Sequence, residues 1–294
     1  MSSEQRTLMF VGAHPDDESF GLGGTLARYA LAGFKVYYAC ATRGEVGDIA
    51  PEFMQGYTNP GDCRWDELSC AAKELGLAGV IHLGYRDSGM PGSVDNTHPE
   101  ALAAAPLEEV TGRVVKVLRE LRPQVVITFD PIGGYRHPDH IAIHLATVEA
   151  FKAAADPSRY PEHGPAYQPQ KLYYAVFSRA FLKMAVRMMR LFRRDPRRFG
   201  RNADIDLVSL TEVEYPPTVY IEVRGEAARR RDAASACHKS QLDEGTNRRG
   251  LAGAVARLMQ NRDGFMRVVP PVVPGRRERD LFEGVQLEAP TPPR

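Results

Sequence analysis

The sequence is short of most features that mark a specialised chain. It lacks an excess of charge, with 38 Lys and Arg against 37 Asp and Glu. A dedicated nucleic-acid binder would carry a clear basic surplus. No apolar run approaches the roughly 18 residues needed to span a bilayer. The opening MSSEQRTLMF has neither the basic stretch nor the long apolar stretch of a secretory leader, so the expectation is a cytoplasmic protein. Cysteine is scarce, and Cys40, Cys63, Cys70 and Cys237 form no CxxC pair. They read as reduced thiols, neither a disulfide frame nor a thiolate zinc site. Internal repeats and strong linkers are absent. Against these absences stand 294 residues, of which 43% are hydrophobic, enough to bury a large core without covalent or metal staples.

Short apolar runs alternate with helical patterns along the first half. Strands are predicted at 8–12, 35–41, 80–83 and 125–129, and helices at 25–33, 64–75, 107–121 and 138–154. The third of these helices should stop before Pro123, because a residue preceding proline is pushed out of helical conformation. This order implies an α/β fold, a Rossmann-like three-layer α/β/α sandwich around a mostly parallel sheet. Two further strands are predicted at 172–177 and 218–223, and a helix at 225–240, which makes the C-terminal part elaborated. The expected organisation is one domain over residues 1–287 and a frayed Pro-rich tail over 288–294. Ligands of such sheets bind beyond the carboxyl ends of the strands.

Two chemically loaded segments begin at strand ends. The first is Ala13-His14-Pro15-Asp16-Asp17-Glu18, in which crowded carboxylates repel one another unless a cation relieves them. The bland alternative is a solvated turn, since Pro and Asp are common turn residues. The second runs from Asp130 to His140 and contains Tyr135-Arg136-His137-Pro138-Asp139-His140. Pro138 suits a first helical turn. His137 and His140 are three apart and His140 and His144 four apart, and either spacing places two rings on one helix face. Histidine, aspartate and water together suit zinc.

The segments AHPDDE (13–18) and HPDH (137–140) resemble the paired signature motifs of the PIG-L/LmbE family of zinc-dependent N-deacetylases. Gly44-Glu45, Arg64 with Glu67-Leu68, and Arg86-Asp87-Ser88-Gly89-Met90 extend the resemblance. The last run is similar to the branch acting on sugar-thiol precursors and conjugates, as in mycothiol and bacillithiol metabolism. The resemblance implies that His14, Asp17 and His140 hold Zn2+ (Fe2+ shares such ligands), with water completing an open site. It makes Asp16 the general base, His137 a protonated group stabilising the oxyanion, Asp139 the residue orienting His137, and Tyr135 a second oxyanion donor. Arg64 and Asp87 would hold sugar hydroxyls. His144 would stay outside the ligand set, and His238 would pack or line the rim. The implied reaction removes an acetyl group from an N-acetylglucosamine-type small molecule; relatives often form trimers or hexamers, and the sequence leaves the oligomeric state open.

Other readings compete. One is an amidase acting on a sugar-thiol conjugate, and another is a phosphoester hydrolase, which would more often carry a second metal site. A third is a peripheral interaction protein with a closed structural zinc site, whereas this sequence offers three ligands and a spare carboxylate. Gly21-Leu22-Gly23-Gly24 does not make a dinucleotide site, because the acidic AHPDDE segment occupies the turn where a pyrophosphate would sit. The basic segment from Arg179 to Arg201 has the pattern of an amphipathic helix. A lid or subunit contact is the favoured reading of it over an anionic membrane surface.

Overall fold

A computed structural model describes residues 5–177, 179–200, 203, 205–242, 261–272 and 278–286. The strands are β1 (Thr7–Gly12), β2 (Lys35–Cys40), β3 (Gly79–His82), β4 (Val125–Phe129), β5 (Lys171–Ala175), β6 (Val219–Glu222) and β7 (Arg262–Val269). They form one sheet in the order β3-β2-β1-β4-β5-β7-β6. The pairings among β1 to β5 are parallel, and β7 runs antiparallel to both neighbours. The helices are α1 (Asp17–Phe20), α2 (Gly23–Leu31), α3 (Pro60–Leu75), α4 (Leu107–Leu121), α5 (Gly133–Arg136), α6 (Pro138–Ala153), α7 (Arg179–Leu191), α8 (Leu207–Leu210) and α9 (Gly225–Cys237).

Side-chain alternation along the strands builds two cores. Leu8 and Phe10 of β1 face one way and meet Leu26 of α2, Leu68 and Leu75 of α3 and Ala234 of α9. Met9 and Val11 face the other way, toward Val114 and Leu118 of α4 and Ile143 and Ala146 of α6. A sheet covered on both faces gives the three-layer sandwich that the sequence predicts. No helix among the described residues is long and apolar enough to cross a membrane. The Pro-rich tail expected at 288–294 lies outside the described residues.

Local signals set most boundaries. Asn59 accepts a bond from the Asp62 N–H at 2.9 Å, so α3 starts at Pro60, before the predicted Arg64. It ends at Gly76, whose φ of 75° is the left-handed cap. α4 ends at Leu121 as expected. One strand is unannounced and one expectation is overturned. Residues 262–269 form a strand that the sequence does not announce, because RDGFMRVV mixes charge and glycine into its apolar pattern. Cys70 of α3 and Cys237 of α9 form a disulfide with Cα atoms 5.8 Å apart, while Cys40 and Cys63 stay free and buried. A pair 167 residues apart is invisible to a spacing argument, and only the packing of α3 beside α9 brings the two Cβ atoms into range.

The chain lays β2 and β3 on one side of β1, and β4 and β5 on the other. β1 and β4 are therefore adjacent strands whose onward connections diverge, and the crevice beyond their carboxyl ends is the natural ligand position of an open α/β sheet. His14 follows β1, and His137 and His140 follow β4.

Candidate active site

The turn after β1 is held in a rare conformation. Asp16 has φ 123°, a region that L-residues seldom adopt. Three contacts hold it there. The Asp16 N–H donates to Glu18 Oε2 at 2.9 Å, Arg64 Nη2 donates to Asp16 Oδ2 at 3.1 Å, and the same nitrogen donates to the Pro15 carbonyl at 2.7 Å. Glu18 is fully buried, and its second oxygen lies 2.7 Å from His238 Nε2. His238 is thus a buried support of the turn, not a rim residue. The neighbouring Asp17 carboxylate accepts the N–H groups of Ala13 and His14 at 3.0 and 2.8 Å, which turns it toward the histidines.

The turn after β4 is built on Asp130 and two glycines. Asp130 Oδ1 accepts the N–H groups of Ile132 and Gly134 at 3.1 and 2.8 Å. Gly133 has φ 64°, and a Cβ there would come within 2.7 Å of His140 Cβ. Only glycine lets this backbone approach closely enough for the Gly133 carbonyl to meet His140 Nδ1 at 3.2 Å. His137 caps α6, and its Nδ1 faces the Asp139 N–H at 3.2 Å.

Each of two histidines has one ring nitrogen committed to an acceptor. His14 Nε2 lies 3.0 Å from Asp139 Oδ2, and His140 Nδ1 lies against the Gly133 carbonyl. Both partners can only accept, so these two nitrogens carry the protons. The remaining nitrogens, His14 Nδ1 and His140 Nε2, then face each other with bare lone pairs 3.2 Å apart. Asp17 adds oxygens 3.9 Å from the first and 3.3 Å from the second. Two lone pairs and a carboxylate converging on one point repel unless a proton or a metal cation sits among them, and the donor set is one that zinc accepts. His137 lies on another side of the same space and could join His14 and His140 as a ligand.

The electrostatics follow from burial and from these neighbours. Burial pushes the Asp16 carboxyl up to about 6, with Asp17 adding to the rise and Arg64 opposing it. Burial also works against charge on Asp17, yet His140 and His14 hold its carboxyl well below the usual range. Burial opposes charge on His14 as well, but the Asp87 and Asp139 carboxylates raise it well above an ordinary histidine. His137 is pushed well below its ordinary value by burial and by the neighbouring His14 and His140. These influences favour a neutral ring over the protonated His137 expected from the sequence. With Nδ1 accepting the Asp139 N–H, its Nε2 carries a hydrogen and remains a donor.

Other residues sit differently from expectation. The Asp139 carboxylate takes the Ser88 N–H at 2.9 Å, the Ser88 hydroxyl and His14 Nε2. It orients His14, a first-motif residue, and reaches His137 only through its backbone. Arg64 and Asp87 are both buried. Arg64 is spent on the Asp16 turn and on the Gly44 carbonyl at 3.3 Å. Asp87 Oδ1 accepts the Gly89 N–H at 2.8 Å and lies 3.5 Å from His14 Nε2. In this structure both side chains help shape the site. His144 donates from Nδ1 to the Phe129 carbonyl at 2.8 Å and stays out of the cluster. Tyr135 stands edge-on to His140 at a ring distance of 4.9 Å. Ser88, Asp130 and Gly133 carry roles that the sequence reading misses, although all three lie inside or beside the segments it singles out.

The sequence profile of the PIG-L family, described as GlcNAc-PI de-N-acetylase, matches residues 9–151. A 1D-myo-inositol 2-acetamido-2-deoxy-alpha-D-glucopyranoside deacetylase of Streptomyces avermitilis is 37% identical over 289 residues, covering 95% of this chain and 97% of that protein. The chain is a member of the PIG-L family. A PIG-L relative with the same name from Rhodococcus erythropolis is 36% identical and covers 97% of this chain and 99% of its own. Among solved structures, the N,N'-diacetylchitobiose deacetylase of Pyrococcus horikoshii aligns with a TM-score of 0.62 at 18% identity, covering 92% of this chain and 87% of that one. That likeness shows that the two chains share a fold.

Proposed function

We propose that this protein is a metal-dependent hydrolase that removes the acetyl group from an N-acetylglucosamine unit linked to inositol, with Zn2+ as the ion. The reading rests chiefly on the converging lone pairs of His14 Nδ1 and His140 Nε2 beside Asp17, with an unliganded carboxylate, Asp16, next to them. The full-length relatives, named for an inositol-linked acetamido sugar, support the substrate class.

When bound, the ion polarises the amide carbonyl and lowers the pKa of water toward about 7. His14, Asp17 and His140 hold it. Asp16 takes the proton from the water that adds to the carbonyl carbon. Arg64 and the Glu18 contact keep that carboxylate aimed, so little reorganisation is needed during reaction. His137 donates its Nε2–H to the carbonyl oxygen as negative charge develops there, and Tyr135 adds its hydroxyl. Such donors are worth about 2.7–4 kcal/mol each where measured. The carbon–nitrogen bond then breaks, the amine leaves with the proton held by Asp16, and acetate remains.

The test is to load the protein with zinc and supply a panel of N-acetylglucosamine conjugates: inositol-linked, malate-linked, free chitooligosaccharide and a cysteinylated sugar-thiol. Released primary amine should be greatest with the inositol conjugate. Turnover confined to the sugar-thiol conjugate would sink this reading in favour of an amidase.

A further inference from the structure

We propose that the outer face of α7 docks on an anionic lipid bilayer. The helix has two apolar faces, and among the described residues only one packs inside the protein. Leu182, Val186 and Met189 point inward and pack with Leu207 and Leu210 of α8, and with Ile132 and Tyr135 of the turn after β4. This side packs over the turn after β4, as a lid would. On the opposite side Met184, Met188 and Leu191 lie at helical spacing and are exposed, Leu191 by 71%. Phe192 continues the stripe beyond the helix at 67% exposure. A contiguous apolar stripe of this kind on a soluble chain marks an interaction surface.

The charge beside the stripe selects the partner. Residues 179–200 carry eight Lys and Arg against a single acid, Asp195, in a chain whose net charge is only +1. Lys183, Arg187 and Arg190 form an exposed flank along α7. Among the described residues, the only ion pair this segment makes is between Arg179 and Glu214. Basic side chains bordering an apolar stripe match an anionic bilayer, whose headgroups take the charge while the acyl boundary takes Met, Leu and Phe. A second copy of the chain fits poorly, because a two-fold contact sets the same patch against itself and brings like charges together.

The experiment is co-sedimentation of the zinc-loaded full chain with vesicles of phosphatidylcholine, with and without phosphatidylglycerol. Binding should require phosphatidylglycerol and weaken as salt rises. In the flank, R187E/R190E should lower partitioning by about 25-fold or more, since one basic residue near such a surface contributes about fivefold; in the stripe, M188E/L191E should also lower it strongly, because it replaces two inserted apolar side chains with charge. Both should keep the activity of the unaltered protein on a soluble substrate. The proposal is overturned by failure to bind phosphatidylglycerol vesicles, by binding indifferent to both double variants, or by light scattering that shows an assembly in solution dissolved by M188E/L191E.

Discussion

Two adjacent aspartates and two histidines three apart share one space, and the contacts each makes away from that space separate their roles. Asp17 is fixed by backbone donors and faces His14 and His140, whereas Asp16 is fixed by Arg64 and Glu18 and faces neither of their bare nitrogens. His14→Ala, Asp17→Ala and His140→Ala should each strip zinc, measured as metal per chain, while His137→Ala should keep it. Loss of zinc in His137→Ala would make that ring a ligand. Asp16→Asn should also keep its zinc, yet lose about 10²–10⁴-fold in kcat with little change in KM, as expected for a group needed in the transition state. Near-normal turnover by the zinc-loaded variant would transfer the general-base role elsewhere. Asp139 offers a sharper contrast. Its carboxylate secures the tautomer of His14, so Asp139→Asn should weaken zinc affinity by about 10- to 100-fold, the usual effect of a lost outer partner. If the variant binds zinc normally and loses only kcat, Asp139 serves His137 after all. The residue types at the site were legible because both motifs are compact and lie at strand ends. The partner assignments were not, since which carboxylate meets which imidazole depends on how the turns after β1 and β4 face each other. No sequence spacing reports that.

Elements show the same division between local and distant causes. α4 and β4 carry their whole boundary signal in their own residues, and the sequence places them correctly. α2 is different, because the acceptor at its N-terminal turn comes from β7. Asp263 Oδ2 accepts the Thr25 N–H at 3.0 Å and the Thr25 hydroxyl at 2.6 Å. Burial raises the Asp263 carboxyl from 3.8 to about 6, and the two Thr25 donors only partly counter it. The folded state therefore holds more protons than the unfolded state between these values. The stability contributed by protonated Asp263 is present below the lower value and is lost as pH climbs through the upper one. Asp263→Asn keeps an acceptor for Thr25 and cannot ionise. The melting temperature of the unaltered protein should thus fall relative to the variant from about pH 4 to about pH 6, then stay parallel above it. Parallel curves across the whole range would mean that Asp263 does not titrate in this window.

At the scale of the molecule, the Cys70–Cys237 disulfide ties a helix inside the family-matched segment to a helix beyond it. It also lies one residue from His238, the buried partner of Glu18. A cross-link closing so long a loop typically contributes about 2–5 kcal/mol. Urea unfolding with and without dithiothreitol should show a difference of that size in the unaltered protein, and none in a C70S/C237S variant. Equal midpoints for the unaltered protein under both conditions would show that the bond adds nothing.

The position of β7 governs how this molecule can be made. β5 and β6 both bond to β7, and among the described residues β6 has no other partner in the sheet. Yet β7 is the last of the three to leave the ribosome. While Arg262–Val269 is still being synthesised, β5 presents a bare edge and β6 has nothing to pair with, a state open to pairing with foreign chains. A nascent chain halted before Arg262 would therefore hold the turns after β1 and β4 and still lack the strand that joins β5 to β6.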